Sequence, residues 1–307
     1  MKYLMGCVML LLCSSTTITA CDVCGCSSGN QNLGLLPQMY RHFVGVQYQF
    51  NSFTSTHIPL SDTKPVEYSN EYYRNMQLWG RLYIGKKWQF FGFLPYRYNT
   101  STYTAYSVPS KGLGDATLLA NYTFYLTPDS STSPVRQRLQ GGAGIKAPTG
   151  SYVGVTQLER EGLPNMQAGT GSWDIPINAN YTLRYKQAGI NADASFNLTT
   201  ANKDNYKYGN RFTAQLTGFY WIQKNKLSLL PQAGARYEYA LHDYDNYNRK
   251  WLNKQTGGYI VSCTAGVQAY YNSIGLQLQY SKPLAQVYGG GYIKALQRID
   301  VGIMLLF

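Results

Sequence analysis

The chain has 307 residues, of which 44% are hydrophobic and only 14% charged, with 29 Tyr and 30 Gly. That length suits one large domain or two small ones, and no stretch beyond the amino-terminus is apolar over the ~20 residues a membrane helix needs, which excludes a helical membrane bundle. The formal charge of +12 would suit a nucleic-acid binder, but the basic residues are scattered about one per segment in a chain that begins with an export signal, so no nucleic acid is expected as a partner.

The export signal is residues 1–20: Lys2, an apolar run from Leu4 to Leu12, then small and hydroxylated residues up to Ala20. Residues 21–38 read as a Cys-rich periplasmic segment and 39–307 as the main domain. Cys21, Cys24 and Cys26 form a C-x-x-C-x-C cluster. Three thiolates so close can bind a soft metal, copper(I) or zinc, although no fourth ligand lies nearby, since His42 reads as an outward strand residue. Two alternatives stand beside it: a disulfide in an oxidising compartment, or a lipid on Cys21, which follows Ile18-Thr19-Ala20 as an acylated cysteine would. No other cofactor is expected.

From about Arg41 onward the pattern alternates with the two-residue period of strands. Val44, Val46, Tyr48 and Phe50 oppose Gly45, Gln47 and Gln49; Met76, Leu78, Leu82 and Ile84 oppose Gln77 and Arg81. A segment from Trp88 to Tyr98 is apolar on both parities and contains Pro95, which leaves its orientation open. Further strands are expected near 115–124, 138–146, 175–184, 190–198, 211–222, 228–239, 259–271, 274–281 and 298–307. Residues 101–111, 199–210 and 242–258 read as loops. The last strand puts Ile299, Val301, Ile303, Leu305 and Phe307 on one face against Arg298, Asp300 and Gly302, and ends on the aromatic residue.

Twelve strands is an even count. The connections near residues 86, 130, 187, 225 and 272 read as mostly short, and those near 60, 105, 160, 205, 248 and 288 as longer. Short turns on one rim and long loops on the other are expected of an all-β transmembrane antiparallel barrel in the cell outer membrane, with short periplasmic turns and long extracellular loops. Lipid offers no hydrogen bonds, so a sheet within it must close on itself.

The polar parity then supplies a candidate lining for transport: Arg81, Arg97, Asp115, Lys146, Asp174, Arg184, Asp193, Arg211, Arg236, Glu238 and Arg298, together with Gln47 and Gln49. Adding Arg41 and Asp300 gives eight basic groups against five acidic ones, an excess that would favour anions in an open pore. The same residues could instead form a salt-bridged plug. No enzyme is expected: His57 and His242 read as loop residues, Asp243 beside His242 as solvated surface, and no Gly-x-Ser-x-Gly motif occurs. Cys263 falls on the outward parity as a small apolar residue.

Gly112-Leu113-Gly114-Asp115, Gly144-Ile145-Lys146-Ala147-Pro148-Thr149-Gly150 and Gly169-Thr170-Gly171-Ser172-Trp173-Asp174 resemble motifs of the outer-membrane barrel family named for the MetA pathway of phenol degradation. The Cys-rich start with Leu36-Pro37 is similar to the form seen in Bacteroidota. The resemblance implies a barrel that moves small, hydrophobic molecules. The function expected is passive transport of small hydrophobic or anionic solutes, and the alternative is a plugged structural or partner-binding barrel whose cysteines bind metal or carry a lipid. The expected partners are outer-membrane lipid and lipopolysaccharide, the barrel-assembly machinery through Phe307, and a small-molecule solute.

Overall fold

A computed structural model describes residues 41–57, 66–128, 130–153, 164–245, 249–253 and 256–307. The expected signal peptide and Cys21, Cys24 and Cys26 lie outside them. All strand pairings are antiparallel, and fourteen strands form one sheet that returns to its starting strand. Two of its staves are interrupted, so the wall has twelve: β1 (Phe43–His57), β2 (Glu67–Ile84), β3 (Trp88–Thr102), β4 (Ser107–Leu113, resuming as Thr117–Leu126), β5 (Val135–Lys146), β6 (Asp174–Tyr185), β7 (Ala188–Thr199), β8 (Arg211–Tyr220, resuming as Ile222–Lys224), β9 (Leu227–Ala240), β10 (Gly258–Tyr271), β11 (Ile274–Tyr288) and β12 (Ile293–Leu306). This is a closed transmembrane β-barrel, with every stave the sequence pattern predicts.

The ring closes where β1 pairs with β12, from Phe43 opposite Leu306 to Ser55 opposite Ile293. His42 fixes the end of this seam. Its ring stacks on Phe307 at 5.7 Å, its carbonyl accepts the Phe307 N–H, and its Nδ1 accepts the Tyr83 N–H at 3.1 Å. The turns at 186–187, 225–226 and 272–273 each begin with a residue of positive φ (Lys186, Asn225 and Asn272), which matches the turn twist to the strand twist.

The oily parity faces out. Val44, Val46, Leu78, Leu82, Leu118, Leu276, Leu278, Ile303 and Leu305 are exposed, while their neighbours Gln47, Gln77, Arg81 and Asp300 are buried. In water such a surface would be untenable; against hydrocarbon it is the stable one. Exposed Trp88, Phe124, Tyr185, Tyr220, Tyr271 and Phe307 mark one rim, and Tyr96, Tyr98, Trp173, Tyr237 and Tyr239 the other. Cys263 is free and exposed on this outer wall.

Three sequence expectations need correction. Asn70, Ser101 and Lys111 belong to strands, and β11 runs on to Tyr288, because several staves continue past the apolar belt. The connections at 103–106 and 289–292 are therefore tight, whereas 127–134 on the short-turn rim is longer, so the sorting of loops by rim is looser than expected. Arg41 does not face in: it is exposed and donates to the Asn272 carbonyl at 3.2 Å.

β4 breaks for a local reason. Below the break Thr117 pairs with Phe93, and above it Leu113 pairs with Tyr96, leaving residues 114–116 opposite Leu94 and Pro95. Pro95 has no N–H to give a ladder, so a bulge forms there, with Gly114 N–H donating to the Pro95 carbonyl at 2.8 Å. Above the bulge, Ser107–Leu113 pairs with β3 and with no other strand among the described residues.

Candidate functional site

The three glycine-rich motifs, far apart in sequence, meet at this bulge. Asp115 turns inward beside it, Lys146 ends β5 and Asp174 begins β6 opposite Lys146. Lys146 Nζ lies 3.2 Å from Asp115 Oδ2 and is also ion-paired with Asp174. Both carboxylates are buried, and one ammonium serves the two.

The connection after β5 turns back into the barrel and is fastened to this triad. Gly150 N–H donates to Asp115 Oδ1 at 3.0 Å, and Thr170 gives both its N–H (2.9 Å) and its hydroxyl (2.7 Å) to Oδ2. Ser172 donates to Asp174 at 3.0 Å. From the wall, Arg97 donates to the Ala168 carbonyl at 2.9 Å and Asn99 to the Met166 carbonyl at 2.8 Å. Asn165, Met166, Gln167 and Ala168 are buried as a result. A polar, glycine-rich segment thus occupies the interior, its carbonyls satisfied by inward side chains.

Close backbone approach explains the glycines. A Cβ on Gly150 would stand 2.7 Å from the Gly114 carbonyl carbon, and one on Gly169 would stand 2.8 Å from that of Gly150. Gly150→Ala is therefore expected to lift the inserted segment off the wall. Limited proteolysis should cut the 147–173 connection faster in the variant while the staves stay resistant.

The remaining predicted lining residues are spread along the inner wall. Arg236 pairs with Glu238 at 2.9 Å; Arg298 pairs with Asp300 at 2.9 Å and reaches Glu238 at 3.8 Å. Asp193 accepts from Asn180 at 3.2 Å and stands opposite Gln215. Arg184 lies over the Trp221 ring at 4.7 Å, and Arg211 is partly buried opposite Asn197. Arg81, buried at the short-turn end, lies over Phe43 at 5.1 Å and donates to the Arg41 carbonyl. Gln47 and Gln49 are buried on the same parity. Sequence reasoning missed buried Arg138 and Glu71, so among the described residues of the wall the inward tally is eight basic groups (Arg81, Arg97, Arg138, Lys146, Arg184, Arg211, Arg236, Arg298) against six acidic ones (Glu71, Asp115, Asp174, Asp193, Glu238, Asp300).

Also missed was an apolar floor. Phe43, Trp79, Phe91, Phe93, Leu119, Phe219, Leu230, Tyr270, Met304 and Leu306 form one buried cluster drawn from β1–β4, β8–β10 and β12, all toward the short-turn rim. The signal was the double-faced apolarity of the segment from Trp88, which resolves with Trp88, Phe90 and Leu94 outward and Phe91 and Phe93 inward.

His57 ends β1, buried, with Nε2 2.8 Å from Ser69 Oγ, and Ser69 Oγ donates to Glu71 Oε1 at 3.4 Å. His242 contacts the Thr256 carbonyl. Its neighbour Asp243 is buried, against the sequence expectation, and accepts from Tyr206 Oη and Gly209 N–H, both at 2.6 Å. Burial pushes the Asp243 carboxyl above its ordinary range and the phenols of Tyr206 and Tyr208 well above theirs. A raised carboxyl stabilises the loop cluster fully below the unfolded value of about 3.9 and loses that contribution as pH rises through the folded value. Hydrogen exchange of residues 242–245 is expected to quicken over that rise, and Asp243→Asn to flatten the dependence.

No sequence-family model matches the chain, and no curated protein sequence matches it either. Solved structures do. An outer membrane channel from Pseudomonas putida F1 superimposes with a TM-score of 0.64 at 17% identity, covering 89% of this chain and 100% of that one. The β domain of the Bordetella autotransporter BrkA gives 0.52 at 13% identity, over 86% and 99%. The likeness is one of fold: this chain has the architecture of outer-membrane barrels.

Proposed function

We propose that the protein resides in the outer membrane and passes small hydrophobic or anionic solutes passively, and that its lumen is closed here at two places, by the apolar floor and by the inserted segment. The observation that carries this reading is a polar interior inside an oily wall. Among the described residues, the side-chain amides of Asn165 and Asn178 and Asn121 Oδ1 are buried without a hydrogen-bond partner, which suits an interior that water or solute enters. The obstructions are side chains and one connection, which can move without opening the wall. Ring faces at the floor suit an apolar solute, and the cationic excess above suits an anion. This agrees with the resemblance to the phenol-degradation barrels.

Liposome swelling and planar-bilayer recording on the purified barrel test it. Entry of a small aromatic carboxylate, with anions favoured over cations, is expected; no entry and no conductance under any condition would overturn it. The burial and mutual pairing of Arg236, Glu238, Arg298 and Asp300 favour a second reading, a permanently plugged scaffold. That reading predicts the null result.

A further inference from the structure

On the outer wall of β1–β4, near the long-loop rim, cations and hydroxyls replace the oily residues found elsewhere. One cross-strand row runs Phe50, Arg74, Tyr98, Lys111. A second, further toward the rim, runs Lys294, Thr54, Asn70, Thr102. Arg74 shares the parity of exposed Met76 and Leu78 and so faces out. Its guanidinium lies 5.9, 5.5 and 5.4 Å from the Phe50, Tyr72 and Tyr98 ring centroids and donates to Thr100 Oγ1 at 3.3 Å. Beside the second row is a cleft of about 400 Å³ lined by Thr54, Thr56, Tyr68, Asn70, Thr102 and Lys294, among others.

No ion pair joins Arg74, Lys111 or Lys294 to a carboxylate among the described residues. On the same staves Glu71 and Asp115 are buried inward, and Glu67, at the tip of β2, pairs with none of them. An outward cation is costly at the bilayer midplane and tolerated near the interface, so this row marks the headgroup level. Below it lie Tyr48, Met76, Leu78, Leu94 and Tyr96, all exposed. The wall therefore presents, in order toward the rim, an apolar strip, a row of two cations of which Arg74 lies among aromatic faces, and a hydroxyl-lined cleft with a third cation. Acyl chains, a phosphate and sugar hydroxyls are the complementary sequence of groups, and together they describe one class of molecule.

We infer that this face binds a phosphorylated glycolipid of the outer leaflet, with Arg74 and Lys111 holding phosphate and the Lys294 cleft holding the sugar. The inference rests on the outer-membrane placement proposed above but not on transport. Arg74 supplies a planar fork suited to phosphate oxygens, pre-aimed by the rings around it.

The test is native mass spectrometry of the full barrel, exchanged into detergent and offered phosphorylated lipid A, dephosphorylated lipid A or phosphatidylglycerol. Retention of the phosphorylated glycolipid is expected to exceed that of either other lipid by about tenfold, the effect of one or two charge-assisted hydrogen bonds. Arg74→Gln/Lys111→Gln should remove that excess, and Lys224→Gln/Lys226→Gln on the opposite rim should not. Heat-modifiable gel mobility checks folding; should the first variant misfold, Lys111→Gln/Lys294→Gln, free of the aromatic contacts, must show the loss instead. Equal retention of dephosphorylated lipid A, equal retention of phosphatidylglycerol, or full retention by a folded variant overturns the inference. Conductance, read on the same samples, should not change with these substitutions, so a failure of the transport reading stays separate.

Discussion

Lys146→Ala is expected to free the inserted segment and so raise the open probability of a barrel that its floor still narrows. The substitution leaves Asp115 and Asp174 buried side by side with no ammonium between them. Breaking one partner of a buried ion pair costs about 3–5 kcal/mol, because the remaining charge is stranded. Much of that cost can be relieved if the 147–173 connection leaves and water reaches the carboxylates. The population of the released state should then rise on the order of 10²–10³-fold. Single-channel recording would show longer and more frequent openings than in the parent. Adding Asp115→Asn and Asp174→Asn to the variant removes the stranded charge and should restore much of the closed time. An unchanged open probability in Lys146→Ala would mean the inserted segment is held without the ammonium, by its bonds to Asp115 and Asp174 and its carbonyl contacts to Arg97 and Asn99.

Trp79→Ala should breach the floor at the other end. Trp79 is buried, edge-on to Phe43 at 4.6 Å and stacked with Phe93 at 6.2 Å. Losing a buried indole costs about 3–5 kcal/mol and leaves a cavity the surrounding rings fill only in part. The folded barrel should unfold at lower denaturant, and the rate of liposome swelling should rise, above all when combined with Lys146→Ala. Leu78→Ala, its exposed neighbour on the lipid side, should leave swelling unchanged. If Trp79→Ala lowers stability without altering permeation, the floor is packing only.

The wall was legible in the sequence because its rule is local. Alternate residues meet lipid or the interior, and ten or so residues suffice to read the phase, as Ile299 to Phe307 illustrates. Phase also places Arg81, Lys146, Asp174 and Arg298 inside. What fills the interior was not legible, because it depends on which inward residues from distant staves reach the same height. Met304 and Leu306 look like ordinary apolar residues in the chain and become floor only when Trp79 and Phe93 arrive from across the barrel. The inserted segment was hidden for a related reason: Thr170 carries no hydrophobic signal, and its role exists only through Asp115, some fifty residues away in sequence. The convergence of the three glycine-rich motifs was the available clue. Strand ends were misjudged where a stave leaves the apolar belt, since beyond it the lipid no longer enforces the alternation.

Ser107–Leu113, paired with one strand only among the described residues, has a consequence for how these molecules live together in a crowded bilayer. A strand edge invites a stranger's strand, and two copies meeting flank to flank could zip into a shared sheet. Pro109 withholds an amide from such a visitor, and the exposed ammonium of Lys111 repels an identical neighbour presenting the same face. Barrels colliding there should part again, so crowding alone is not expected to fuse them.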